Sequence, residues 1–104
     1  MKINKQQKIV FICAALMSLT TACATPKIDK HARNMAASCA ACHGTNGNSV
    51  GGAPVLAGLD KTHFITQMNN FKTGARPATI MNKHANGYND EEIAQLATFF
   101  AAQK

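Results

Sequence analysis

The sequence predicts an all-α domain. Apolar residues recur at helical spacing in three stretches, 29–39, 60–73 and 89–100. Each stretch opens on a residue suited to capping a helix N-terminus, Asp29, Asp60 and Asn89. No run alternates apolar with polar residues as a half-buried strand would.

Ahead of these stretches the chain begins M-K-I-N-K-Q-Q-K, with three lysines and no acid. Ile9 to Leu19 is then almost wholly apolar, and small residues follow to Cys23. A basic start, an apolar middle and a small-residue end are the parts of an export signal. The apolar stretch is shorter than the roughly 20 residues that span a bilayer. Residues 1–22 are therefore expected to be an export signal, 23–28 a short tether and 29–104 the folded domain, in the periplasm. Leu19-Thr20-Thr21-Ala22-Cys23 resembles a bacterial lipobox, whose cysteine receives lipid and would anchor the protein to a membrane. The rival is plain cleavage after Ala22-Cys23-Ala24, an A-x-A pattern that discards Cys23.

In the domain, Asp29 caps a first helix that runs to about Cys39, with Ala32, Met35, Ala36 and Cys39 on one face. Gly44, Gly47, Gly51, Gly52, Pro54 and Gly58 make the next stretch a loop. Asp60 starts a second helix reaching about Thr73, where Phe64, Met68 and Phe71 share a face and Gly74 stops it. Residues 75–88 carry Pro77, Asn82, Asn86 and Gly87 and read mostly as loop. The last helix has the clearest signals. Asn89 with Glu92 forms a capping-box pattern, and Ile93, Leu96, Ala97 and Phe100 make an i, i+3, i+4, i+7 stripe.

Cleavage before Cys23 leaves 82 of the 104 residues, one small domain. Domains of this size often rely on disulfides, metals or a cofactor. Tryptophan is absent and other aromatics are few, so something besides side chains is expected to fill the core. Losing Lys2, Lys5 and Lys8 takes the eleven basic residues to eight against five acids, a net of +3. This is mild. There is no basic cluster or aromatic ladder of the kind nucleic-acid binders carry.

Residues 39–43 read C-A-A-C-H. A dithiol oxidoreductase would place C-x-x-C beside a βαβ pattern, which this chain lacks. A structural zinc site needs four ligands, and there is no second cysteine pair in the domain; His31, His63 and His84 have no metal-ligand pair spacing and read as surface residues. A disulfide across two intervening residues would close a tiny loop and stabilise little. Covalent haem remains. Cys39 and Cys42 add to its vinyl groups and His43 binds the iron. A large apolar macrocycle also answers the shortage of core aromatics.

These residues resemble a class I c-type cytochrome. Cys39-Ala40-Ala41-Cys42-His43-Gly44 near the first helix is followed by Pro54-Val55-Leu56-Ala57-Gly58-Leu59. Thr79-Ile80-Met81, Gly87-Tyr88-Asn89-Asp90-Glu91-Glu92-Ile93 and Leu96-Ala97-Thr98-Phe99-Phe100 then complete the pattern over nearly all of 30–104. The likeness is closest to the small monohaem type related to the cytochrome subunit of flavocytochrome c sulfide dehydrogenase, and each half of the two-haem periplasmic cytochromes is also similar. It implies helices wrapped round one covalently attached haem c, the first and last crossing near one another, with Met35 and Ala36 against Leu96 and Phe100. It also implies that the Pro54 carbonyl accepts a hydrogen bond from the His43 ring. Arg76 is a candidate partner for a haem propionate, the alternative being a solvated surface arginine.

For the sixth iron ligand, Met35 and Met68 lie on helix faces and read as core filler. Met81 lies in the segment read as irregular, shortly before the last helix, and the resembled family carries its ligand in this setting. His84 is the rival, and an empty position is the third option. With His43 and Met81 on the iron, the expected function is electron transfer rather than catalysis. An empty position would instead give a five-coordinate haem that binds a gas or reduces peroxide. The implied partners are redox proteins, a flavoprotein dehydrogenase that holds the chain as a subunit or a terminal oxidase. Arg76 and Lys83 flank Met81 and would give the haem edge a positive rim that steers acidic partners.

Overall fold

The computed structural model describes residues 28–104, so the expected export signal, Cys23 and the tether up to Lys27 lie outside the described residues. Five α-helices and one 3₁₀ turn make up the described chain, with no strand among these residues. They are α1 (Lys30–Ala37), α2 (Ala40–His43), the turn Thr45–Gly47, α3 (Lys61–Thr73), α4 (Met81–Asn86) and α5 (Asp90–Ala101).

The starts of the three longer helices follow from their caps. The Asp29 carboxylate accepts from the His31 amide at 3.0 Å, and that of Asp60 from the His63 amide at 2.9 Å. Asn89 and Glu92 exchange both bonds of a capping box, each at 2.9 Å. Each satisfies amides that would otherwise lack a partner at a helix start. At the other end of α3, Gly74 takes the left-handed conformation that stops the helix.

Two expectations need correction. The first helix stops at Ala37, not near Cys39, because the amides of Ser38 and Cys39 bond three residues back, to Met35 and Ala36. The chain restarts as α2, so Cys39 stands at its head and Cys42 and His43 lie within it. The stretch 75–88, read mostly as loop, contains α4. The Ile80 carbonyl accepts from Lys83 and His84 to open that helix, and Ala85 is fully buried where α4 packs on α3. Six residues are too few to show a period, and a helix this short depends on packing rather than propensity.

α5 is the central element. α1 and α3 both pack on it, and α4 packs on α3. Ala32 and Ala36 give α1 a small-residue face, while Ile93, Leu96, Ala97 and Phe100 line the buried side of α5. Phe64 of α3 lies 5.6 Å from Phe100 between ring centroids, and Phe99 meets Phe100 edge-on at 5.2 Å. These are favoured aromatic separations.

The loop after α2 is tied down at Gly47. Its carbonyl accepts the amides of Leu56 and Ala57, and a Cβ there would come within 2.9 Å of Phe100 Cδ1 and 2.8 Å of Leu56 Cβ. Its φ of 79° is also one that other residues rarely adopt. The Gly58 amide then bonds to the Phe100 carbonyl at 2.9 Å. In this way the 44–58 loop is fastened to the end of α5, with Pro54 held over α2.

Candidate haem site

His43 is the only buried charged or polar side chain among the described residues, at 8% exposure. Its Nδ1 lies 2.7 Å from the Pro54 carbonyl oxygen. A carbonyl can only accept, so Nδ1 carries the proton and donates. The ring is thereby turned to a fixed orientation, and in its neutral form Nε2 is the nitrogen with the free lone pair. This is the tautomer and the outer hydrogen bond of a metal-ligating histidine.

The imidazole lines a cavity of about 460 Å³, within the usual range for a cofactor pocket. Five segments build it: the Ser38–His43 turn and α2, the 53–59 loop, α3, the 76–88 stretch including α4, and Leu96 of α5. Leu56, Leu59, Phe64, Met68, Phe71 and Leu96 make its wall largely apolar, and no carboxylate lines it.

Cys39 and Cys42 are both free thiols on this cavity. Cys42 is exposed and Cys39 half-buried. Burial pushes the Cys39 thiol up. Met81 is half-buried and lines the same cavity from the first turn of α4, not from an irregular segment. His84 lines it too, one turn further along, but is exposed. Met35 and Met68 pack with the hydrophobic core, Met68 buried and Met35 partly so.

Arg76 reaches the cavity mouth. Its guanidinium donates to Gln67 Oε1 at 2.6 Å and lies 4.7 Å above the Phe71 ring. His31 is exposed and lies 3.9 Å from Glu92 of α5. His63 is also exposed, yet it lines the cavity together with Gln67 and Tyr88. None of those three stands out as a site residue in the sequence. His63, Gln67 and Phe71 do recur every four residues on α3, which places them on one face.

Two thiols, an oriented imidazole with a free Nε2, a thioether and an apolar wall suit a haem attached through both sulfurs. Comparison with known proteins agrees. Residues 30–104 match the family model described as Cytochrome c. The chain belongs to the cytochrome c family. It is an electron-transfer cytochrome with one covalently attached haem c, since it has a single C-x-x-C-H motif. It is 39% identical over 75 residues to the cytochrome subunit of sulfide dehydrogenase from Chlorobaculum tepidum, covering 72% of this chain and 68% of that protein. It is also 39% identical over 70 residues to cytochrome c4 of Pseudomonas aeruginosa, covering 66% of this chain and 35% of that one. With the thiosulfate dehydrogenase electron acceptor of Thiomonas intermedia the identity is 38% over 71 residues, covering 66% and 33%. The match thus spans about two thirds of the first relative and about a third of the other two. Among the described residues, no helix is long and apolar enough to cross a membrane.

Proposed function

We propose that this cytochrome is a periplasmic electron carrier or electron-transfer subunit. Its haem is bonded through Cys39 and Cys42, and its iron is ligated by His43 and Met81. The observation that carries this reading is the 2.7 Å bond from His43 Nδ1 to the Pro54 carbonyl, which leaves Nε2 for the metal on a cavity that Met81 also lines. The haem supplies a one-electron couple. The protein residues set its terms. His43, made more basic by its bond to Pro54, and the soft sulfur of Met81 would hold the iron between them and would leave no coordination position for a substrate. Thioether ligation raises the potential compared with a second imidazole. Arg76, steadied by Gln67 and Phe71, keeps further N–H donors for a propionate in a cavity without carboxylates of its own.

The relatives named as a sulfide dehydrogenase subunit and a thiosulfate dehydrogenase acceptor support a dehydrogenase as electron donor. The deciding experiment is a visible and near-infrared spectrum of the purified protein in both redox states. The oxidised protein is expected to show the weak near-infrared sulfur-to-iron band. Met81→Ala is expected to abolish the band and let ferrous protein bind carbon monoxide. If wild-type protein lacks the band at neutral pH and binds carbon monoxide readily, the five-coordinate reading replaces this one. Periplasmic anchoring through a lipidated Cys23 belongs to the same proposal, supported by the Leu19–Cys23 lipobox pattern. Intact mass is expected to show a chain that begins at acylated Cys23. A chain starting at Thr25 without lipid overturns the anchor.

A further inference from the structure

Tyr88, in the short link between α4 and α5, is tied to three different elements. Its amide bonds to the Ala85 carbonyl at the end of α4, 3.3 Å away. Its own carbonyl accepts from Lys72 Nζ of α3 at 2.9 Å, and the same ammonium sits 3.5 Å from Asp90. Its phenol lies 3.0 Å from Ser38 Oγ, fifty residues away in sequence. Ser38 has one hydroxyl proton, and Oγ directs it to the Met35 carbonyl at 2.9 Å. The phenol is therefore the donor of the pair, and the chain of bonds runs Tyr88 O–H to Ser38 O–H to the Met35 carbonyl.

This bond joins the two sides of the haem cavity. Ser38 immediately precedes Cys39. Tyr88 follows the helix that begins with Met81, and both Ser38 and Tyr88 line the cavity themselves. Among the hydrogen bonds of the described residues, no other joins 76–89 to 28–59. α4 is short and fixed at its far end through the Tyr88 amide, so a shift of Tyr88 is passed along fewer than two helical turns to Met81.

We propose that Tyr88 is a positioning residue for Met81: by donating to Ser38 it holds the α4 wall closed against the haem-attachment segment and keeps the thioether on the iron. The inference rests on Met81 being the sixth ligand. It is tested on haem-loaded ferric protein by titration with imidazole, which must displace the sixth ligand to bind, followed in the visible spectrum. Met81→Ala is expected to bind imidazole far more tightly than wild type. Tyr88→Phe and Ser38→Ala, each retaining the near-infrared band, are expected to raise imidazole affinity about two- to tenfold, the effect of losing one neutral hydrogen bond. Because both variants remove the same bond, the double variant is expected to gain no more than either single one. A merely structural role would lower the melting temperature and leave imidazole affinity at the wild-type value. If Met81→Ala binds tightly while Ser38→Ala and Tyr88→Phe match wild type, or if their effects add, the positioning role is overturned and the ligand assignment stands. If Met81→Ala itself binds imidazole as wild type does, the ligand assignment fails and the positioning role with it. Should Tyr88→Phe fail to hold haem, the imidazole affinity of Ser38→Ala alone decides between these outcomes.

Discussion

The α1–α5 contact and the cavity-facing half of the molecule are built from similar residues to different ends. Where α1 crosses α5, alanines meet large side chains, and Ile93 and Ala97 have no exposed surface. On the other half, Leu56, Leu59 and Phe71 are only partly covered, and Val55 and Ile80 are about half exposed, at 51% and 48%. Apolar surface buried against protein contributes to stability by itself, whereas apolar surface facing a cavity does so only when something fills it. The first region is complete as protein. The second is complete only with haem.

The largest effect should come from removing what fills the second region. Cys39→Ala and Cys42→Ala are each expected to weaken haem retention, and the double variant to give up its haem on denaturation or acid-acetone extraction, whereas wild type keeps it. In so small a domain they are also expected to lose much of the cooperative melting seen by circular dichroism. Clean extraction of haem from the wild-type protein would break the comparison outright. A smaller, more local effect separates the two regions directly. Ile93→Ala is expected to cost about 2–5 kcal/mol in denaturant unfolding, because Ile93 is fully buried and lies off the cavity, so the change opens a void in a closed core. Val55→Ala, half exposed at the cavity mouth, is expected to stay within about 0.5 kcal/mol. Equal costs would mean that the loop side is as tightly packed as the helix crossing.

The smallest effect concerns the charged rim of the open side. Arg76 lines the cavity mouth, Lys83 is exposed on α4, and no carboxylate lines the cavity. Arg76→Gln with Lys83→Gln is expected to slow reduction by an acidic redox partner a fewfold at low salt and to flatten the fall in rate with ionic strength. Stopped-flow rates that ignore salt in the wild type would leave these charges without a docking role.

Much of this molecule is written in short-range chemistry that a sequence displays directly. Asp29, Asp60 and the Asn89–Glu92 pair bond to amides two or three residues away, so their helices could be located without knowing the fold. The C-A-A-C-H run is equally local, and it points to both thiols and His43 as candidate haem residues. Other features depend on what lies across the molecule. α4 is hidden in the sequence because its reason for existing is Ala85 buried on α3, and a six-residue helix carries no period of its own. His63 and Gln67 are ordinary surface positions until α2, α3 and α4 are brought around one cavity. The Pro54 carbonyl was named through family resemblance. Only the folded loop, fastened at Gly47 and Gly58, brings it to 2.7 Å from His43. The bond from Tyr88 to Ser38 spans fifty residues and left no mark in the sequence. Caps and covalent motifs are decided by neighbours a turn apart, which the order of residues specifies. Cavity walls and cross-chain bonds are decided by which helices pack together, and only the tertiary structure holds that information.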